Sequence, residues 1–129
     1  MWDKQLQQID EHPIQRYAGG GSKSRRSRLQ RFCDWQQAAG YFWYQPVLEQ
    51  WRDHLLHQEQ LQATTVRAYL STVRSAYRQL LRSNDVRQWL YDLMPSDLSP
   101  ERQLALMTEF ETRLKNALDP NNAPITIIE

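Results

Sequence analysis

Residues 64–82, TTVRAYLSTVRSAYRQLLR, contain the clearest helical pattern in the chain. Its apolar side chains recur at intervals of three and four residues, which places them on one face of an α-helix. They are Val66, Tyr69, Leu70, Val73, Tyr77, Leu80 and Leu81. We therefore predict a long amphipathic helix that turns this face towards a core, with Thr64 or Thr65 as its N-cap.

Helix signals continue on both sides of this stretch. Four further helices are predicted, over residues 23–39, 46–58, 84–94 and 100–118. Ser22 or Ser24 supplies the N-cap of the first, and Ser99 that of the last. Pro46 and Pro100 suit the first turn of a helix because that position needs no backbone donor. The sequence therefore predicts an all-α fold, a bundle of four to five helices.

Glycine and proline suggest where the domain begins and ends. The run Gly19-Gly20-Gly21 predicts a hinge, so residues 1–21 are interpreted as a flexible or partly helical N-terminal arm. Residues 22–119 then form the helical domain, with the aromatic residues 41–44 packed between helices. Residues 120–129, which end in β-branched side chains, are interpreted as an extended linker towards an absent domain.

The composition excludes several classes of protein. The 129 residues are 40% hydrophobic and 11% aromatic, which is enough for one core and argues against disorder. The mean hydropathy of −0.78 and the absence of a long apolar run exclude a membrane span. A single cysteine, Cys33, excludes a disulfide framework and a zinc site built from cysteines. Cys33 adjoins Phe32 on an apolar face, so we interpret it as a core residue.

The net charge of +1 conceals an asymmetry along the chain. Residues 12–84 contain eleven Lys and Arg against four Asp and Glu, whereas residues 85–129 contain four against eight. Thirteen of the sixteen basic residues are arginine, whose planar fork matches phosphate and guanine better than lysine does. The basic first part predicts an anionic partner for one face of the domain.

Two polar helix faces carry this basic charge. On the helix at residues 23–39, Ser24, Ser27, Arg28 and Arg31 share one side, and Lys23, Arg25 and Arg26 lie near its N-terminus. On the long helix, the equivalent stripe is Thr64, Arg67, Ser71, Arg74 and Arg78. Both lie in stretches without acidic residues, so they suit a phosphate backbone. The alternative is that each stripe is an ordinary solvated helix face.

No other cluster of residues indicates chemistry. His54 and His57 are three residues apart, but a metal site needs a third ligand, so a surface pair is the preferred interpretation. The sequence contains no glycine-rich phosphate loop and no HExxH or GxSxG motif. We therefore expect no enzymatic activity, cofactor, metal ion or small-molecule substrate for this chain, and no association with a membrane.

Three segments together resemble the core-binding domain of tyrosine recombinases, the phage-integrase family. They are SKSRRSRLQRFCDWQ at residues 22–36, PVLEQWRDHLLHQ at 46–58 and LQATTVRAYLSTVRSAYRQLL at 61–81. The family pattern has Phe-x-x-Trp at the end of one helix, matched by Phe32 and Trp35. It continues with a helix matched by Val47 to Leu55 and one matched from Thr65-Val66 to Tyr77. Gln62 departs from the pattern, which has serine there.

The resemblance implies a helical bundle of the SAM-like core-binding type that clamps one side of a DNA duplex. In the family a separate domain carries the catalytic arginines, histidine and tyrosine. We expect that this chain contains no part of that domain. The expected partners are double-stranded DNA and other recombinase protomers on DNA. The expected location is the cytoplasm, in association with the nucleoid, for a protein of bacterial or phage origin. The implied DNA contacts are Lys23, Ser24, Ser27, Arg28, Arg31, Thr64, Thr65, Arg67, Ser71 and Arg74, to which the stripes add Arg25 and Arg78.

A second hypothesis needs no nucleic acid. The chain would be a helical protein-interaction domain that uses the aromatic residues 41–44 and the acidic last helix, with Glu101, Glu109 and Glu111, as its binding surface. Salt dependence separates the two hypotheses, because phosphate contacts weaken steeply with salt.

Overall fold

The computed structural model describes residues 2–123, and the regular structure in this range is entirely helical. The seven α-helices of this range are α1 (Trp2–Gln7), α2 (Pro13–Ala18), α3 (Lys23–Ala38), α4 (Leu48–Asp53), α5 (Ala63–Arg82), α6 (Asn84–Asp92) and α7 (Pro100–Ala117). The prediction of an all-α fold is confirmed. The predicted number of four to five helices is too low, because two short helices precede α3.

Helix α5 lies at the centre of the domain and contacts α2, α3, α4 and α6. Its predicted apolar face is the buried one, and Val66, Val73 and Tyr77 are completely inaccessible to solvent. The helix begins at Ala63, two or three residues earlier than a Thr64 or Thr65 N-cap predicts, and Gln62 occupies the N-cap position without a side-chain hydrogen bond. Thr64 and Thr65 therefore lie in the first turn, and the prediction that one of them is the N-cap is wrong.

Serine side chains start three of the other helices. Ser22 accepts a hydrogen bond from the backbone N–H of Arg25, and Ser99 accepts one from Arg102. Both N-caps are as predicted. Ser83 does the same for α6 through the N–H of Val86. These short, local hydrogen bonds fix where α3, α6 and α7 begin.

The predicted helix at residues 46–58 is interrupted. Val47 has a left-handed backbone (φ 40°), so α4 begins at Leu48 rather than at Pro46. After Asp53 the helix continues as one π-helical turn, His54–Gln58, and Gln60 is again left-handed with φ 55°. Segments of π-helix inside an α-helix are rare and often occur at functional sites.

The residues before the glycine run belong to the same core. Trp2, Leu6 and Ile14 are buried, the Trp2 indole donates to Leu90 O at 3.1 Å, and the Trp43 indole donates to Leu6 O at 2.8 Å. The helical unit therefore includes residues that the sequence interpretation assigned to an N-terminal arm. Of the expected linker, Pro120–Asn122 forms a 3₁₀ turn, and residues 124–129 lie outside the described range.

A buried chain of polar groups joins α2, α3, α5 and the loop that contains the aromatic residues 41–44, here called the aromatic loop. His12 accepts from the N–H of Ile14 through Nδ1, and its Nε2 lies 2.7 Å from Oε1 of Gln36. Gln36 donates onward to Gln45 O at 2.6 Å and to the Tyr77 hydroxyl at 3.3 Å. The Tyr77 hydroxyl in turn donates to Trp43 O. The network explains how Gln36 can be 1% exposed inside an apolar core.

Candidate nucleic-acid interface

Two arginines of α3 lie against α5 and flank the same aromatic ring. Arg28 Nη1 donates to the Thr72 hydroxyl at 3.2 Å, and Arg31 Nη1 donates to the Tyr69 hydroxyl at 3.3 Å. The guanidinium carbons of Arg28 and Arg31 lie 5.3 and 5.5 Å from the centre of the Tyr69 ring. Trp51 stacks on that ring with centroids 6.2 Å apart. The cation–π contacts hold both charges at the seam between α3 and α5.

In the first turns of α3 some polar side chains are exposed to solvent and one is hydrogen-bonded to the rest of the domain. Lys23, Ser24 and Ser27 are exposed. Arg25 folds back instead and donates to the carbonyl oxygens of Ala18 and Gly20, with a further contact to Gln79 of α5. The prediction grouped Arg25 with the phosphate-binding residues, whereas in the structure its guanidinium ties the glycine run to the helices.

The stripe on α5 is exposed for most of its length. Thr64, Arg67, Ser71 and Arg78 are exposed, and Thr65 is half-buried. At 3.6 residues per turn, Arg67 and Arg78 lie about 120–140° around α5 from Thr72. The α5 stripe and the seam with α3 therefore lie on the two flanks of one exposed helix surface. The described ion pairs leave Arg67 and Arg78 without a carboxylate partner.

Arg74 departs from the predicted stripe because it is 8% exposed. Its Nε and Nη2 atoms are buried and have no hydrogen-bond partner within the described residues. Burial lowers the pKa of Arg74, the charge of Arg78 lowers it further, and Asp119 acts in the opposite direction. Because most of the Arg74 side chain is buried, it offers little surface to a DNA phosphate, and we leave Arg74 out of the candidate surface.

The sequence interpretation missed Glu59. Its carboxylate pairs with Nη2 of Arg31 through Oε1, and its Oε2 lies 3.0 Å from Nε2 of His54. The expectation that both stripes lack counter-charges is therefore wrong for Arg31. The two partners are 28 positions apart in sequence, and they meet because the π-helical turn brings Glu59 beside α3.

The remaining candidates for chemistry have structural explanations. Burial raises the pKa of the Cys33 thiol to about 12, with a smaller contribution from Asp34, so the thiolate form that a nucleophile needs is disfavoured. His57 is exposed, whereas His54 contacts Glu59. Within residues 2–123 no group of three or more His, Cys, Asp or Glu side chains could hold a metal ion. No helix in that range is long and apolar enough to cross a membrane.

A second surface lies between α1, the aromatic loop and α7. It contains a cleft of about 480 Å³ that is lined by the aromatic residues Trp2, Tyr44 and Phe110 and by the acidic residues Asp3 and Glu109. The rings of Tyr44 and Phe110 are 6.1 Å apart. Phe42, which stacks on Tyr44, is 39% exposed.

Comparisons of this chain with protein-family models, with curated proteins and with solved structures gave no match. The geometry of the two surfaces and the sequence pattern are therefore the grounds on which a function is assigned.

Proposed function

We propose that this chain is a double-stranded DNA-binding domain similar to the core-binding domain of tyrosine recombinases. The observation that carries the proposal is the basic surface of α3 and α5. There Arg28 is held at the seam between the helices by Thr72 and Tyr69, and Arg67 and Arg78 are exposed on the far flank of α5. An exposed surface of arginine and hydroxyl side chains is suited to a phosphate backbone.

The proposed mechanism is positioning without chemistry. Arg28 contacts phosphate from a fixed orientation, because its aromatic and hydroxyl contacts limit the side-chain freedom that binding would otherwise remove. Arg67 and Arg78 contact phosphates on the other flank, and the exposed hydroxyls of Ser24, Ser27, Thr64 and Ser71 add neutral donors. In a recombinase this clamp would hold one side of the duplex while a separate domain acts on the scissile phosphate.

The test is a fluorescence-anisotropy titration of a labelled duplex of about 30 base pairs at 50 and 200 mM salt. The three arginine contacts, from Arg28, Arg67 and Arg78, give a slope of about −2.7 in log K against log salt, so affinity falls roughly 40-fold between the two salts. Circular dichroism of the same sample shows that the domain is folded. A folded sample with no affinity for the duplex at 50 mM salt overturns the proposal.

The second candidate function is protein recognition through the aromatic cleft of Trp2, Tyr44 and Phe110. The observation that favours it is a cleft lined by aromatic side chains and a few charged ones, a combination that is typical of binding sites. It predicts that the duplex does not bind at either salt concentration. The DNA titration therefore distinguishes the two candidates in one experiment.

A further inference from the structure

One carboxylate lies within the basic surface of α3 and α5. Glu59 reaches Arg31 with one oxygen and His54 with the other, and its side chain is 26% exposed. Arg31 is 40% exposed and also donates to Tyr69. Both partners are therefore accessible to solvent, and an external anion could approach the same guanidinium.

The backbone around Glu59 has an unusual geometry. The π-helical turn His54–Gln58 precedes it, its N–H bonds to His54 O at 3.1 Å, and the next residue, Gln60, has φ 55°. A left-handed backbone is uncommon for residues other than glycine and costs free energy. This geometry terminates the helix at the point where the Glu59 carboxylate reaches across to α3.

We propose that Glu59 is an internal competitor for phosphate, which occupies Arg31 and withholds one contact from nucleic acid. The inference rests on the proposed function of the α3–α5 surface and assigns a residue that limits the affinity of that surface. A carboxylate and a phosphate make the same kind of charge-assisted hydrogen bonds to a guanidinium. Arg31 therefore contacts the carboxylate in the free chain and a phosphate only when the carboxylate is removed.

The decisive variant is E59Q, which keeps the size of the side chain and removes its charge. The duplex titration is expected to show affinity at 50 mM salt about tenfold above that of the unmodified chain, as for one added charge-assisted hydrogen bond. The salt slope becomes steeper by about 0.9, the value for one additional phosphate contact.

The matched control is E111Q. Glu111 also pairs with an arginine, Arg87 at 3.5 Å, and its side chain is 19% exposed, but it lies on α7 outside the basic surface. The same change of net charge is expected to alter duplex affinity less than twofold. Equal effects of E59Q and E111Q would overturn the proposal, because a general gain of positive charge would then explain both.

A second control removes the partner. In an R31A background the change E59Q is expected to add no affinity, since no guanidinium is left to release. A gain that persists without Arg31 overturns the proposal, and circular dichroism of each variant verifies that it is folded.

Elution from a heparin column separates this inference from the proposed function. If neither the unmodified chain nor E59Q binds the duplex, the proposed function fails and the column decides the role of Glu59. A higher elution salt for E59Q that depends on Arg31 supports competition for sulfated or phosphorylated polyanions in general. Identical elution of E59Q and the unmodified chain overturns it.

Discussion

The arginines of α3 and α5 and those of α6 and α7 have different neighbours. On α6 and α7, two of the three arginines have a carboxylate partner: Arg87 pairs with Glu111, and Arg113 pairs with Glu109 at 2.5 Å. The described ion pairs do not include the third, Arg102. On α3 and α5, the single carboxylate within 4.0 Å of an arginine in the described ion pairs is that of Glu59. The other contacts of this surface are with hydroxyls, carbonyl oxygens, an amide oxygen and an aromatic ring.

This difference favours α3 and α5 as the side that attracts an external anion. A carboxylate partner neutralises much of the charge that an arginine offers to a phosphate, whereas an arginine held by neutral groups keeps its charge available. The charge asymmetry along the sequence is therefore also an asymmetry of pairing in three dimensions. The α6–α7 side provides matched control positions for tests of the α3–α5 side.

The largest effect is expected from the double variant R67A/R78A. Loss of two phosphate contacts lowers duplex affinity at 50 mM salt about 10- to 100-fold and makes the salt slope shallower by about 1.8. The control is R102A/R113A, which removes two exposed arginines of α7 and is expected to change the slope by less than half a unit. Equal losses in the two double variants would contradict the assignment of the surface to α3 and α5.

The next largest effect is expected at Arg74, and it is a gain in folding stability instead of a loss of DNA affinity. R74M replaces a buried guanidinium that has two unpartnered nitrogens with an apolar side chain of similar length. The free energy of unfolding in urea is expected to rise by about 1–3 kcal/mol, because the desolvation cost of the charge is removed. The salt slope for DNA stays unchanged. The exposed R67M is the control, with a stability change within about 0.5 kcal/mol.

A destabilised R74M would show that the Arg74 charge has a compensating partner, with Asp119 the nearest candidate. A shallower salt slope in R74M would show that Arg74 belongs with the arginines proposed to contact DNA. Either result would remove the distinction between Arg74 and its exposed neighbours Arg67 and Arg78.

The sequence predicts those parts of the fold that depend on local signals. Helices α3, α5 and α7 have regular apolar spacing. Ser99 and one of the two serines proposed for α3, Ser22, are N-caps of α7 and α3, because an N-cap involves residues only two or three positions apart. The predicted N-cap of α5 is wrong, since Gln62 takes that position. Helices α1 and α2 have six residues each, too few for a periodic pattern. Their stability comes from tertiary contacts such as the Trp2 indole on Leu90.

The candidate site was predictable as a set of positions but not as a set of contacts. Periodicity identified the stripe that contains Arg67, Ser71 and Arg78. It could not show that Arg74, at the border of the apolar face, turns inward. The pairing of Arg31 with Glu59 depends on a π-helical turn for which the sequence has no simple signature. Burial and ion pairing are decided by tertiary packing, which a helical repeat does not encode.

The smallest expected effect is a change of folding stability with pH. It comes from the protonation of His12 and not from the arginines, whose charge stays constant. His12 uses Nδ1 to accept from Ile14 N–H, so its neutral form carries the proton on Nε2 and donates to Gln36. A second proton on Nδ1 would face that N–H and remove the N-cap of α2. Burial lowers the pKa of His12 below its ordinary value of 6.5, although the hydrogen bond to Gln36 acts against this.

The folded chain binds this proton less readily than the unfolded chain does. The contribution of neutral His12 to the free energy of unfolding is therefore fully present above pH 6.5, and it is lost as the pH falls from 6.5 through the lowered pKa. Urea midpoints at pH 7.5 and 5.0 measure the loss, and H12Q is expected to reduce the difference between the two. The exposed His57 provides the control H57Q, which keeps the full difference. If H12Q and the unmodified chain lose the same stability, another group is responsible for the acid sensitivity, and the contacts between α2 and α3 do not depend on neutral His12.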